Sequence, residues 1–235
     1  MKFNRKELVS IFTLVIGVSY LFGIVSSSKA EILEENIINK KNPAKQLALQ
    51  QKVEGYSNLY VAGIPGNKLR YYAAPSVRGR QIQSNWCWAA SIQMVLNYYG
   101  VYADQRAIVQ KIYGRQTNRP ANGNQIINAL SGWGFNIANR YSYIRAGYSN
   151  NLQNLLDDLK RERPIIVGMR NPNQNIGHAV VMTGYYFKFD QNRRRRVTHI
   201  IVRDPWPNNK SRQVWEWNDF SSRFMFAVRI GVTHR

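Results

Sequence analysis

Pro164 separates two stretches with different hydrophobic periods, and that change constrains the fold more than any other feature of the chain. Before it, apolar residues recur at helical spacing. From Cys87 to Tyr99, Trp88, Ile92, Val95 and Tyr99 share one stripe, Ala89 and Ala90 allow close approach, and Gly100 ends the run; Asn85 or Ser84 is placed to cap it. Asp104 is placed to cap a second helix ending at Gly114, and Asn124 to Ser131 makes a short third. Ser149 caps a fourth through Arg161, with Leu152, Leu155, Leu156 and Leu159 facing inward. After Pro164 the period becomes strand-like: Ile165 to Met169, His178 to Phe189, Val197 to Asp204, Arg212 to Trp217 and Met225 to Val232. Helices first and strands second is the pattern of an α+β domain, here a helical lobe packed on an antiparallel sheet.

The first thirty residues have a composition of their own. Lys2, Arg5 and Lys6 precede a charge-free run from Leu8 to Val25, followed by Ser26, Ser27, Ser28, Lys29 and Ala30. A basic start, an apolar run and small residues two apart read as a secretory signal peptide over residues 1–30, directing the protein to the periplasm or the exterior. Left uncleaved, the same run is long enough to anchor the chain in a membrane. Residues 31–75 mix Glu, Lys, Asn and Gln with little periodicity and then carry Gly63, Pro65, Gly66 and Pro75, an N-terminal extension or short pro-region ahead of a domain over 76–235.

With 33 Lys and Arg against 13 Asp and Glu, the net charge is +20, so the surface favours anionic partners. Export without disulfides in so basic a chain points to a bacterial source. One cysteine excludes a disulfide framework and Cys-based zinc sites, and three histidines leave little for a metal cluster, so no metal or cofactor is expected. The run Arg193, Arg194, Arg195 and Arg196 falls near a hairpin tip, either as a solvated cluster or as a contact for a polyanion or anionic surface. The tryptophans at 86, 88, 133, 206, 215 and 217 are not interleaved with that run, which argues against a base-stacking platform and a specific nucleic acid.

The single cysteine opens the first helix. Unpaired N–H groups and the positive end of the helix dipole favour a thiolate there, although a lone cysteine also serves as a small buried hydrophobe. A thiolate needs a base, and the candidates are His178, His199 and His234. His234 is next to last in the chain, and on its strand His199 faces away from Asp204. If His178–Phe189 and Val197–Asp204 form a hairpin closed by Asp190-Gln191-Asn192, then Met182 faces Ile200, Val180 faces Val202 and His178 faces Asp204. The imidazole and carboxylate then meet at the end of one apolar face, where the carboxylate holds the tautomer and stabilises the imidazolium.

Gln81, Cys87 and Trp88 in a Gln-x5-Cys-Trp arrangement, Gly177-His178-Ala179-Val180, and Asp204-Pro205-Trp206 together resemble the papain-like cysteine peptidases. The bacterial branch that includes secreted effector proteases and bacteriocin leader peptidases is most similar, over roughly Gln81 to Val232. The resemblance implies the two-lobed papain-like fold with its site in the cleft. It also implies Gln81 as an oxyanion-hole side chain, Cys87 as nucleophile, His178 as base, Asp204 as its partner and Trp206 as the shielding tryptophan. Gln83 competes with Gln81, whose spacing to Cys87 matches the family. Ser84 stands where papain proper has a disulfide cysteine, which argues against the lysosomal subgroup, and an export signal argues against the transporter-fused form of leader peptidase.

The function these readings imply is a secreted, monomeric cysteine endopeptidase acting on protein or peptide substrates through a thioester. An acyltransferase of transglutaminase type with the same triad is one alternative. A non-enzymatic basic polyanion-binding protein with a structural Cys87 is the other.

Overall fold

The computed structural model describes residues 50–72, 79–137, 140–171 and 177–234, all within one compact unit spanning 47–235. The signal peptide expected over 1–30 and the start of the extension lie outside the described residues. The elements are, in order, β1 (Gln50–Lys52), β2 (Tyr60–Gly63), a 3-10 turn (Lys68–Tyr72), α1 (Cys87–Tyr98), α2 (Gln105–Tyr113) and α3 (Gly123–Leu130). There follow β3 (Gly134–Ile137), β4 (Arg140–Tyr148), α4 (Leu152–Lys160), β5 (Ile165–Met169), β6 (His178–Phe189), β7 (Arg195–Arg203), β8 (Arg212–Glu216), α5 (Trp217–Arg223) and β9 (Phe224–His234). This is an α+β fold in which every strand pair is antiparallel.

The sheet runs β1-β2-β6-β5-β9-β4-β3, with β7 and β8 continuing from the other edge of β6. One edge of β6 is shared, its first half pairing β5 and its second half β2. The extension therefore contributes two strands to the domain's own sheet. Gly63 makes this possible: its φ is 142° and a Cβ there would fall 2.4 Å from the Gly184 Cα, so only glycine lets the two backbones approach so closely.

Each face of the sheet carries its own core. On one, Ile144, Ile166, Ala179, Val181, Val228 and Ile230 meet α1, α2 and α3. On the other, Val167, Val180, Met182, Ile200 and Val202 meet Leu155, Leu156 and Leu159 of α4 and Phe220 of α5. The four residues expected to line one apolar face, Val180, Met182, Ile200 and Val202, do so. The expected helical lobe, α1 to α3, packs on one face of the antiparallel sheet, and α4 covers the opposite face. The helices-first order is interrupted, since β3 and β4 precede α4.

Local chemistry explains most helix ends. Asp104 accepts from the Arg106 amide at 2.7 Å and Gly114 closes α2 at φ 67°. Asn122 and Gln125 form a capping box on α3. The cap of α4 is Asn151 and not Ser149: its side chain accepts from the Asn154 amide, two residues nearer the apolar stripe.

The cap expected of Ser84 or Asn85 on α1 is absent. The boundary residue is Trp86, with no side-chain cap. Both polar residues are turned to the 117–119 loop instead: Asn118 Nδ2 donates to Ser84 Oγ at 2.9 Å, and Asn85 donates its backbone N–H to Asn118 Oδ1 and its Nδ2 to the Asn118 carbonyl. Trp86 Nε1 and Trp88 Nε1 donate to the Thr117 and Arg119 carbonyls, so the same loop fixes the first turn of α1. From Cys87 to Asn97 every α1 residue is buried.

Candidate active site

Helix α1 begins at Cys87, and its uncapped first turn leaves backbone N–H groups there unclaimed by any side-chain cap. The Cys87 side chain is 9% exposed, at the boundary between core and surface. Ser91, one turn on, donates its hydroxyl to the Ala179 carbonyl at 3.2 Å and ties α1 to the start of β6, where His178 sits.

The His178 ring lies between two groups. Its Nε2 is 2.7 Å from Asp204 Oδ1, and Cys87, at the start of α1, lies near enough to act on its charge. Burial works against charge on the imidazole, but the hydrogen bonds and charges of Asp204 and Cys87 outweigh it and raise the pKa to about 9. The Trp206 ring stands edge-on to His178, centroids 6.5 Å apart.

Asp204 is 2% exposed, a desolvation that favours its neutral form. Its bonds win: Oδ1 accepts from His178 and from the Trp206 amide at 2.8 Å, and Oδ2 accepts from Asn209 Nδ2 at 2.7 Å and Gln213 Nε2 at 2.8 Å. The carboxyl is accordingly held below its ordinary range. Arg80 Nη1 donates to the carbonyls of Asp204 and Trp206, both at 2.9 Å, and the Gln81 amide donates to Pro205, so the segment before α1 is laced to the Asp-Pro-Trp loop.

Gln81 is buried, whereas the Gln83 side chain is exposed, so the two do not share an environment. Gln81 Nε2 donates to the Gln83 and Ser84 carbonyls, both at 2.9 Å, and its Oε1 is buried without a partner. Both N–H bonds of the amide are thus engaged by the turn that leads into Cys87. His199 is held elsewhere, against Thr198 Oγ1 at 3.1 Å and edge-on to Tyr186. His234 ends β9 opposite Ser142. Asn175 and Ile176, which precede the Gly177-His178 motif in the chain, lie outside the described residues. Among the described residues no three His, Cys, Asp or Glu side chains gather to hold a metal ion.

The His178–Asp204 pair forms in a register different from the one expected. Met182 faces Val202 and not Ile200, and irregularities fall between Met182 and Gly184 and between Tyr186 and Phe187. At the His178 end the shift is by two residues, so Val180, Met182 and Val202 keep their face and the pair meets on the diagonal, whereas from Gly184 to Tyr186 it is by three. The turn explains the shift: Asp190 Oδ1 accepts from the Asn192 and Arg194 amides, and Arg193 takes φ 56°, which delays pairing to Phe189 with Arg195. Gln213, Asn209 and Arg80 escape sequence reasoning because none carries a motif; only the two-residue spacing of Gln213 and Trp215 on an alternating strand hints at a shared face.

The model of the Peptidase_C39 like family matches residues 71–228, which include all of these groups. Among solved structures, a double glycine motif protease from an AMS/PCAT transporter in complex with its leader peptide is 18% identical, with a TM-score of 0.44, covering 66% of this chain and 89% of that one. The peptidase domain of Streptococcus ComA, a bifunctional ABC transporter involved in a quorum-sensing pathway, is 18% identical with a TM-score of 0.44, covering 66% and 96%. No curated protein matches the sequence.

Proposed function

Because the chain belongs to the Peptidase_C39 like family of cysteine peptidases, we propose that it is an exported endopeptidase that cuts peptide bonds through Cys87, His178 and Asp204. The observation that carries this reading is the His178 imidazole held 2.7 Å from the buried Asp204 carboxylate, with Cys87 near enough to act on its charge.

The Cys87 sulfur, its proton passed to His178, attacks the scissile carbonyl. A C–S bond forms and the carbonyl electrons move to oxygen. The Cys87 backbone N–H, at the uncapped start of α1, is one donor to that oxyanion. Gln81 Nε2 is the other, giving up one of its two carbonyl bonds to do so. His178 passes its Nδ1 proton to the leaving amine, Asp204 keeping the ring oriented, and water deacylates the thioester with His178 as base. Proteins or peptides are the substrates, and the source is bacterial, with residues 1–30 as the export signal or membrane anchor. Arg193 to Arg196, exposed at the β6–β7 tip, contact an anionic surface, with Arg196 partly satisfied by Asp190 at 3.2 Å.

The test is labelling of the purified protein with an epoxysuccinyl thiol-protease inhibitor at neutral pH, read by mass spectrometry, beside His178→Ala. Fast labelling of Cys87 that falls about a hundredfold or more in the variant is expected. Slow labelling, equal in both, would make Cys87 an ordinary thiol and favour a basic binding protein. Incorporation of an added amine into product would instead identify an acyltransferase.

A further inference from the structure

Asp204 needs more than His178 to stay charged. A carboxylate 2% exposed must fill the lone pairs of both oxygens from the protein, and His178 and the Trp206 amide satisfy only Oδ1. Oδ2 rests on Asn209 and Gln213. These two are not equivalent. Asn209 is exposed, so water can take its place, whereas Gln213 is half-buried on β8, where Val202 is its cross-strand partner.

The Gln213 carboxamide has only one workable orientation. Trp215, two residues along the same face, donates its indole N–H to Gln213 Oε1 at 2.7 Å. An indole is a donor only, so it requires the oxygen end of the amide. The nitrogen end is thereby turned to Asp204 Oδ2, at 2.8 Å. With the amide reversed, Oε1 would face the carboxylate and two donors would face each other at Trp215.

We propose that Gln213, its amide fixed by Trp215, is a positioning residue that holds Asp204 ionised and aimed at His178. Donors run in one direction from Trp215 to Gln213 to Asp204, and the carboxylate spends its other oxygen on His178. When His178 gives up its proton to the leaving amine, Oδ2 keeps its donors, so the carboxylate remains charged for the returning imidazolium. The inference rests on the catalytic reading of Cys87, His178 and Asp204, but its central measurement does not.

That measurement is the titration of the Asp204 carboxyl carbon by NMR in protein labelled with 13C-aspartate. Gln213→Leu should raise the Asp204 midpoint by about one unit or more, since a buried carboxylate loses a donor that no water replaces. Trp215→Phe keeps the ring but frees the amide to turn, and should raise it less; it decides the matter alone if the leucine variant does not fold. Asn209→Ala should raise the midpoint less than Gln213→Leu, because water reaches the exposed Asn209 position. In parallel, the acid limb of Cys87 alkylation by iodoacetamide should move up with the Asp204 midpoint, slowing the reaction about tenfold on that limb. An unchanged Asp204 midpoint in folded Gln213→Leu overturns the inference. Wild-type alkylation that is slow and indifferent to His178→Ala would overturn the catalytic reading instead, while the carboxyl titration still reports whether Gln213 supports Asp204.

Discussion

His178 Nε2 stands 2.7 Å from Asp204 Oδ1 although the two residues are not opposite each other in the sheet: β7 ends at Arg203, and Asp204 reaches the imidazole from the diagonal. A diagonal contact is longer than a direct one, so it depends on the loop beyond Arg203 being fixed. Arg80 and the Trp206 amide do the fixing, one through the Asp204 carbonyl and the other through its carboxylate. Removing Arg80 should therefore loosen the pair without touching it. Arg80→Ala is expected to slow Cys87 labelling about tenfold, on the scale of a hydrogen bond to a charged group, while Arg80→Lys recovers part of the rate. Equal rates in all three proteins would show that the loop holds itself.

The pH dependence follows from the two shifted groups. His178 is raised from 6.5 to about 9, so its contribution to stability is fully present below pH 6.5 and is lost as pH rises through 9. The ceiling is about 3 kcal/mol, at 1.36 kcal/mol per unit. Asp204 is lowered, so its contribution is present above about pH 4 and is lost as pH falls through its folded value. Urea unfolding should show stability falling between pH 7 and 10 in the wild type, and falling less in His178→Ala. Peptidase activity should decline over the same alkaline range, because neutral His178 has no proton for the leaving amine.

Gln81 separates two kinds of reaction at one sulfur. Attack on a carbonyl builds an oxyanion, whereas alkylation by iodoacetamide builds none. Gln81→Ala should lower peptide hydrolysis by about a hundredfold, the usual cost of losing one oxyanion donor, and leave iodoacetamide alkylation within a few-fold. If both rates fall together, Gln81 serves chiefly to shape the turn through the Gln83 and Ser84 carbonyls.

Much of this site was legible in the sequence, for a physical reason. A strand's period of two makes the face of a residue robust to a register error of two, so His178 and Asp204 were assigned to one side although Met182 pairs with Val202 and not Ile200. The helix caps were less legible where a tertiary partner competed for the polar side chain, as Asn118 does for Ser84 and Asn85. Strands β1 to β4 were missed because β1 and β2 are only three and four residues long and β4 is exposed at both ends, its apolar residues interrupted by Arg140, Arg145 and glycine. Donors to Asp204 from β8 depend on side-chain rotamers, which no periodicity encodes.

The N-terminal extension gives the last prediction. Read from composition, residues 31–75 are an N-terminal extension or a short pro-region. Yet Tyr60 to Gly63 pair with Phe187 to Gly184 on β6, Ala62 is 1% exposed, and Tyr60 stacks on Phe187 with centroids 5.4 Å apart. Lys68 in the following turn bonds Glu162 at 2.6 Å. Cutting the chain before Ile64 would strip the second half of β6 of one neighbour and uncover Phe187 and Tyr185, each now fully buried. Losing that cover should cost about 3 kcal/mol or more, from apolar surface alone. A chain begun at residue 64 should melt many degrees lower than one begun at residue 47 and label Cys87 more slowly. If the shorter chain were equally stable and reacted faster, the two strands would be a removable inhibitory segment after all.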